Sequence, residues 1–187
     1  MSYEYFEAYP DGLVLSTETG HAREYGTNPY TGYDNPENKQ PRLYAGKVDS
    51  RLPAMERVID VHVNGKYKIY PLSVVRKNEV INDIFEDQPF VIFYTSKTVS
   101  VLDESEISAS RKVGSVTVFR PESNDRFLTF RKTKEGFMDE QTKSIWDIAG
   151  KCISGDLKGS DLRPVTHGNH FAFEWFAFHS DSDIYQE

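Results

Sequence analysis

The chain has 187 residues, of which 38% are hydrophobic and 13% aromatic, so it can bury one core and is rich in side chains that favour strands. Its formal net charge of −7 argues against binding to nucleic acid, which requires clustered basic residues, and against an anionic membrane surface. We expect no membrane span and no signal peptide, which leaves the compartment unknown, with the cytoplasm as the default. The single cysteine, Cys152, excludes an internal disulfide and a cysteine-rich zinc site.

Residues 1–44 are predicted to form an arm that crosses the surface of the protein. Residues 3–8 are typical of the end of a helix, a Pro-Asp-Gly sequence at 10–12 breaks it, and 13–15 form a short apolar strand. The Tyr-, Pro- and Gly-rich stretch that follows is typical of successive turns in a long loop. Its tyrosines indicate that the loop packs on the body of the protein, although such loops also bind ligands or partners.

A β-hairpin is predicted over 57–71, with an Asn-Gly turn at 64–65. Two registers compete, because a two-residue turn pairs Val61 with Lys68 whereas a three-residue turn pairs Val61 with Tyr67. We predict the second register, because it places apolar residues opposite one another on a hairpin with one buried face.

Short helices and strands follow the hairpin. A short helix begins at 71–75, where the proline suits the first turn. The apolar run 89–95 is predicted to be a central strand covered on both faces, and 99–102 and 113–119 to be further strands. The sequence DESE at 103–106 has the spacing of a capping box and predicts a helix of one or two turns.

Residues 126–161 are predicted to form a β-meander of short strands punctuated by polar and glycine-containing turns. Asp139 begins one tight turn, in which its side chain can bond the backbone ahead. Cys152 lies on a later strand and is expected to be a buried, inert thiol. At the C-terminus, Phe171, Trp175 and Phe178 have helical spacing, with Asn169 as the cap.

Together these elements predict a β-rich α+β fold. Its sheet is mostly antiparallel, either open or partly closed into a barrel or sandwich, and carries two or three short helices. Residues 45–187 are predicted to form a single domain, with 1–44 as the extended arm.

The two ends of the chain resemble each other. The sequence EWFAFHSDSDIYQ, which starts at Glu174, aligns with EYFEAYPDGLVLS, which starts at Glu4, with identities at Glu, Phe and Asp positions. Such internal similarity indicates that the first residues are the tail of an earlier copy of the domain that ends at the C-terminus.

Long motifs carry a resemblance to a known family. They are VNGKYKIYPLSVV at 63–75, NEVIND at 78–83, PFVIFY at 89–94, the meander sequence at 127–165 and WFAFHSDSD at 175–183. With these motifs the chain resembles the DUF3179 family, a bacterial and archaeal family of unknown function. The resemblance implies that this chain is the second copy of a tandem-domain protein together with its joining arm.

One departure from the family pattern bears on chemistry. Copies that carry a Cys-Pro-Leu-Cys-Gly run have it after the strand that matches 89–94, whereas Thr-Ser-Lys-Thr-Val stands at 95–99 here. The redox or metal chemistry that a cysteine pair supports is therefore not expected in this copy.

Polar side chains in two regions are candidates for a ligand pocket beside an aromatic ring, an arrangement that suits sugars or small polar ligands. They are Asn82, Asp83, Asp139, Thr142 and Trp146. The alternative is that these residues close turns and fill the core. His167 and His170 are weak candidates for a metal site, or they merely precede a helix. We predict no metal and no cofactor.

The sequence does not decide whether the protein is an enzyme. We predict a non-catalytic interaction or structural module whose partner is another copy of the same domain or the chain itself. The alternative is a small polar ligand-binding domain or a hydrolase with an aromatic-lined pocket.

Overall fold

Three open four-stranded sheets and a two-stranded ribbon form the protein, in a computed structural model that describes residues 9–13, 15–100 and 102–187. The predicted β-rich α+β fold is confirmed, with 34% strand and 10% helix, two helices, mostly antiparallel sheets and no closed barrel in that part of the chain. The helix end predicted at 3–8 lies outside the described residues. The strands are β1 (Arg57–Val63), β2 (Lys66–Pro71), β3 (Val80–Phe85), β4 (Gln88–Thr95), β5 (Ser115–Arg120), β6 (Glu122–Ser123), β7 (Arg126–Phe127), β8 (Phe130–Lys132), β9 (Phe137–Asp139), β10 (Ile145–Trp146), β11 (Cys152–Ser154), β12 (Arg163–Pro164), β13 (Asn169–Phe171) and β14 (Asp183–Ile184).

The sheets have the strand orders β13-β1-β2-β14, β12-β5-β4-β3 and β11-β10-β9-β8, and β6 pairs with β7. The last of these sheets is the predicted meander. The predicted central strand is β4, which lies between β5 and β3. Val91 and Phe93 of β4 enter one apolar cluster whereas Phe90 and Ile92 enter another, so both faces of this strand are covered, as predicted.

The predicted hairpin forms, but its predicted register is wrong. Val61 lies opposite Lys68, so the turn has two residues, Asn64 and Gly65, both with positive φ (50° and 80°). Two-residue turns of this kind match the right-handed twist of the strands. The prediction failed because both faces of β1 carry buried residues, with Val58 and Val61 in different apolar clusters. Placing apolar residues opposite one another therefore does not select one register of the hairpin.

The helix predicted at the DESE sequence does not form. The described residues there contain one short 3-10 turn, Ile107–Ala109. The Asp103 carboxylate accepts hydrogen bonds from the backbone N–H and Nη1 of Arg111 at 2.8 and 2.9 Å, which occupies both of its oxygens. The strand predicted at 99–102 is reduced to a single bridge between Val99 and Lys112, and Val101 lies outside the described residues.

Helix α1 (Leu72–Asn78) follows Pro71 as predicted, and helix α2 (Ala172–Phe178) lies near the C-terminus. The predicted cap is wrong, because Asn169 belongs to β13 and pairs with Ile59 of β1. Phe178 is also not part of the buried side, since it is 80% exposed. The buried residues of the helix are Ala172, Phe173, Trp175 and Phe176, and Phe178 lies past their edge in the last turn.

Residues 26–34 of the arm contact the body. The backbone N–H groups of Asn28 and Gly32 donate to the carbonyls of Ser105 and Asp103 at 2.9 Å. The ring of Tyr33 meets that of Phe171 with centroids 6.1 Å apart. The short strand predicted at 13–15 is not seen at Leu13 and Leu15, and Val14 lies outside the described residues.

Candidate functional site

The predicted polar residues of the meander form a buried hydrogen-bond network. Asp139 ends β9, and its Oδ2 accepts from Nε1 of Trp146 at 3.0 Å. Its Oδ1 accepts from the backbone N–H of Thr142 at 2.6 Å, which is the turn geometry predicted for an Asp at this position. The Thr142 hydroxyl lies 2.9 Å from both carboxylate oxygens and 2.7 Å from the Ser144 hydroxyl.

The centre of this network is sealed from solvent, whereas Thr142 is partly exposed. Asp139, Ser144 and Trp146 have 0% exposure. The Ser144 hydroxyl also accepts from the backbone N–H of Leu157 at 3.1 Å, which ties the turn to the segment after β11. Each polar group is used by a neighbour within the fold, so the arrangement holds the meander together and offers no free group to a ligand.

Asn82 joins two sheets. On β3, its side-chain amide donates to the carbonyl oxygen of Phe130 at 2.8 Å and accepts from the N–H of the same residue at 2.8 Å. Phe130 begins β8, so the amide acts as a strand-like partner that closes the gap between the β3 and β8 edges. The Phe130 ring lies edge-on to Trp146, with centroids 5.9 Å apart, and so connects Asn82 to the buried network.

Asn82→Ala is expected to lower the free energy of unfolding by about 2 kcal/mol, because two backbone groups of Phe130 lose their partners. Asn82→Asp retains the acceptor but not the donor and should lose about half as much. Urea denaturation measures the change, and amide exchange at Phe130 reports the local loss. Equal stability of all three proteins would contradict this role of Asn82.

The Asp83 carboxylate accepts hydrogen bonds from three donors. Its Oδ2 accepts from Nζ of Lys68 at 2.6 Å and from the Tyr70 hydroxyl at 2.8 Å, and its Oδ1 accepts from the N–H of Ile84. Burial, followed by the Asp83 charge, raises the pKa of Tyr70 far above its ordinary value. Tyr70 is therefore a neutral donor that holds the carboxylate and not a proton-transfer group at neutral pH.

Asn82 and Asp83 also line an open groove of about 710 Å³ between β3 and the β6–β7 ribbon. Its other walls are mainly apolar and include Phe90, Pro121 and Phe127. Asp139, Thr142 and Trp146 are not among its lining residues. The structure thus places the five predicted ligand residues in two separate environments, one open and one sealed.

The two histidines do not share a ligand position. The ring nitrogens of His167 lie 2.7 Å from the carbonyl oxygen of Val165 and 3.4 Å from that of Val116. The His170 ring packs beside Trp175, with its Nε2 3.4 Å from Asp60. Among the residues that the structure describes, no three His, Cys, Asp or Glu side chains are grouped to hold a metal ion.

Cys152 is buried on β11, and its thiol lies 3.4 Å from the carbonyl oxygen of Ser154. Burial raises the pKa of the Cys152 thiol above its ordinary value, which lowers its thiolate fraction at neutral pH. We expect the native thiol to react with Ellman's reagent at pH 8 at least ~100-fold more slowly than free cysteine. Unfolding in urea should release one reactive thiol per chain, and fast reaction of the native protein would contradict this account.

A buried carboxylate that sequence reasoning missed anchors the arm. Asp34 has 0% side-chain exposure, and its Oδ2 accepts from the Ser100 hydroxyl at 2.6 Å. The same oxygen lies 2.8 Å from Nη2 of Arg111 and 3.4 Å from Nη2 of Arg57. One side chain of the arm thereby binds β1 and the 98–113 loop. No local pattern marks Asp34, since its partners are 23 to 77 residues away in sequence.

An open cavity of about 380 Å³ lies next to this anchor. Arg76 and Lys112 line it together with Glu37 and Glu56, and the lining residues Arg57 and Arg111 already pair with Asp34. Positive and negative groups are therefore mixed, and the cavity has no charge preference for an anion.

Comparisons with known proteins give one match. The family described as "Protein of unknown function (DUF3179)" matches residues 2–182. No curated protein and no solved structure matches the chain. Within the described residues, neither helix has the length and apolar character needed to cross a membrane. Because the match covers nearly the whole chain, the protein belongs to the DUF3179 family.

Proposed function

We propose that this chain is a non-catalytic interaction module of a tandem-domain protein and that its arm binds another domain of the same family. The observation that carries the proposal is the exposure of apolar residues on an arm that is fixed to the body elsewhere. Residues 26–34 are fixed to the body, yet Leu13 and Leu15 expose 92% and 95% of their surface. Exposed apolar side chains that lie close together in sequence can contribute to a contact surface.

The engagement of the predicted site residues supports a non-catalytic role. Asp139 and Thr142 bond Trp146 and one another, and Asn82 is used by the backbone of Phe130. Asp83 is held by Lys68 and Tyr70. A general base or nucleophile must reach a substrate proton or carbon, and these groups are committed to structural partners.

The similarity between 4–16 and 174–186 supports a partner of the same kind. In this chain the C-terminal sequence folds onto the sheet β13-β1-β2-β14. A second segment with aromatic or apolar residues at most of the same positions has side chains that suit the same kind of sheet.

Photo-crosslinking in the native organism tests the proposal. A benzoylphenylalanine residue at position 15 is compared with one at position 43, where Leu43 is equally exposed at 95%. We expect a position-specific adduct at residue 15, and mass spectrometry should identify a DUF3179 domain in it, from the same polypeptide or another. An adduct pattern identical at both positions, or adducts with unrelated proteins alone, would contradict the proposal.

The groove beside β3 favours a second candidate function, the binding of a small ligand. Its aromatic walls include Phe90 and Phe127, and Phe127 is 65% exposed. Native mass spectrometry of the purified protein tests this function. A reproducible added mass that Phe127→Ser removes would support it, whereas the bare chain mass, with an unchanged thermal profile after Phe127→Ser, would count against it.

A further inference from the structure

We propose that residues 11–16 bind another copy of the domain as an edge strand, in the position that β14 holds in this chain. The proposal rests on the proposed function and specifies its contact surface. Its partner is a DUF3179 domain whose β2-type strand has a free edge.

The C-terminal segment shows which pairings a strand makes at this edge of the sheet. β14 pairs in parallel with β2, with Asp183 opposite Lys68 and Ile184 opposite Ile69. The backbone N–H of Tyr185 then donates to the carbonyl oxygen of Ile69 at 2.9 Å. This is the one parallel pairing among the strands that the structure describes, and it closes the edge of the sheet.

Both faces of this edge strand are covered. Ile184 packs against the cluster that contains Trp175 and Phe176, whereas Tyr185 packs against the central cluster and stacks on Tyr70 with centroids 5.2 Å apart. Adjacent strand residues point to opposite faces. The position therefore requires two consecutive apolar or aromatic residues.

The arm has the turn that precedes such a strand. The N–H of Gly12 donates to the carbonyl oxygen of Tyr9 at 2.9 Å, and the N–H of Ser182 donates to that of His179 at 3.3 Å. These pairs are the same positions in the alignment of 4–16 with 174–186, which is offset by 170 residues. The two aligned segments therefore share a turn at the same position.

The residues after the turn also fit. Val14 and Leu15 align with Ile184 and Tyr185, so the arm has consecutive apolar residues where both faces require them. Leu13 departs from the pattern, because Asp183 stands at its counterpart. In this chain Leu15 is 95% exposed, whereas Tyr185 is partly buried. At Leu15 the arm thus has an apolar residue of the edge-strand pattern without the burial of its counterpart.

The partner edge must belong to another copy, because β14 already occupies the outer edge of β2. The cation of Lys151 lies 4.6 Å from the Tyr9 ring centroid, which places the turn beside β11. The segment therefore leaves the body next to the meander sheet, and the bound copy would lie on that side.

A variant of the 187-residue chain with an opened edge tests the inference. Ile184→Asp places a charge at an apolar position, and Tyr185→Pro removes the N–H that bonds Ile69. Sedimentation velocity should show that the double variant self-associates at least ~10-fold more tightly than the wild type, because one arm can enter the opened edge of another chain. Adding Leu15→Asp should abolish this gain, whereas adding Leu43→Asp should not.

With these variants, the inference would be overturned by no gain from the folded double variant or by equal effects of Leu15→Asp and Leu43→Asp. A second set of variants covers the case in which the double variant unfolds. Replacing 183–185 by the arm sequence Leu-Val-Leu should preserve the thermal unfolding temperature within a few degrees, whereas Ser-Thr-Ser should lower it clearly. Equal losses in both grafts would overturn the inference.

The two proposals fail in different ways. If a family domain is crosslinked at position 15 but opening the edge has no effect, the proposed function stands and this contact site is contradicted. If the opened edge accepts the arm but no family domain is captured in cells, the strand fits the edge and the proposed function is contradicted.

Discussion

Asp139→Ala is expected to destabilise the protein by about 4 kcal/mol, the largest effect that we expect from a single polar side chain. The change leaves three donors without their acceptor: Nε1 of Trp146 and the N–H and hydroxyl of Thr142. Asp139 and Trp146 have no solvent exposure, so the indole N–H cannot be hydrated once its acceptor is lost. Urea denaturation followed by tryptophan fluorescence measures the loss directly.

Asp156→Ala is the matched control, because Asp156 is an exposed aspartate in a turn of the same meander. It should change stability by less than about 0.5 kcal/mol. The loss of stability in Asp139→Asn should lie between those of Asp139→Ala and Asp156→Ala. The asparagine preserves the side-chain shape and one acceptor but turns an amide N–H₂ toward a donor. A loss below about 1 kcal/mol for Asp139→Ala would contradict the structural role of this network.

Asp34→Ala is expected to cost about 3 kcal/mol and to release the arm from the body. The carboxylate is buried, whereas Arg57 and Arg111 are partly exposed. Water can therefore solvate the two guanidinium groups in the variant, which reduces the loss of stability. Ser100 also loses its acceptor. Limited trypsin digestion should therefore cut at Arg42 faster in the variant than in the wild type, under conditions that leave the body intact.

Asp181→Ala is the control for this experiment, because Asp181 is exposed in the C-terminal turn. It should leave both the urea midpoint and the cleavage rate at Arg42 unchanged. An arm that stays equally protected in Asp34→Ala would show that the backbone bonds of Asn28 and Gly32 hold it without the carboxylate.

Local rules predicted those parts of the fold that depend on neighbours in sequence. The tight turn at Asp139 is an example, because its carboxylate bonds an N–H three residues ahead. The continuous apolar run of β4 likewise predicted a strand covered on both faces. Both features can be read from fewer than ten residues.

Features set by distant partners could not be predicted in this way. Asp103 has the spacing of a helix cap, but Arg111 takes its carboxylate. Asn169 looked like a cap and instead pairs with Ile59, more than a hundred residues away. The hairpin register failed for a related reason, since Val58 and Val61 are buried against different clusters.

The candidate site shows the same division. Asn82 and Asp83 were singled out as a pair, but they point to different tasks, one joining β8 and the other holding Lys68 and Tyr70. Adjacent residues on a strand face opposite ways, so the polar groups of the two residues meet different partners although both residues line the same groove. Asp34 was missed because its arginine partners come from other parts of the fold.

The central claim is that the arm supplies an edge strand to another copy of the domain, and hydrogen–deuterium exchange tests it most directly. The isotope-labelled full chain is mixed with the Ile184→Asp, Tyr185→Pro variant, and exchange is followed in the labelled peptide that spans residues 9–17. We predict that exchange over 13–16 slows at least ~10-fold on mixing and stays fast when the labelled chain carries Leu15→Asp. Unchanged exchange in that peptide, with the variant folded and in excess, would contradict the account.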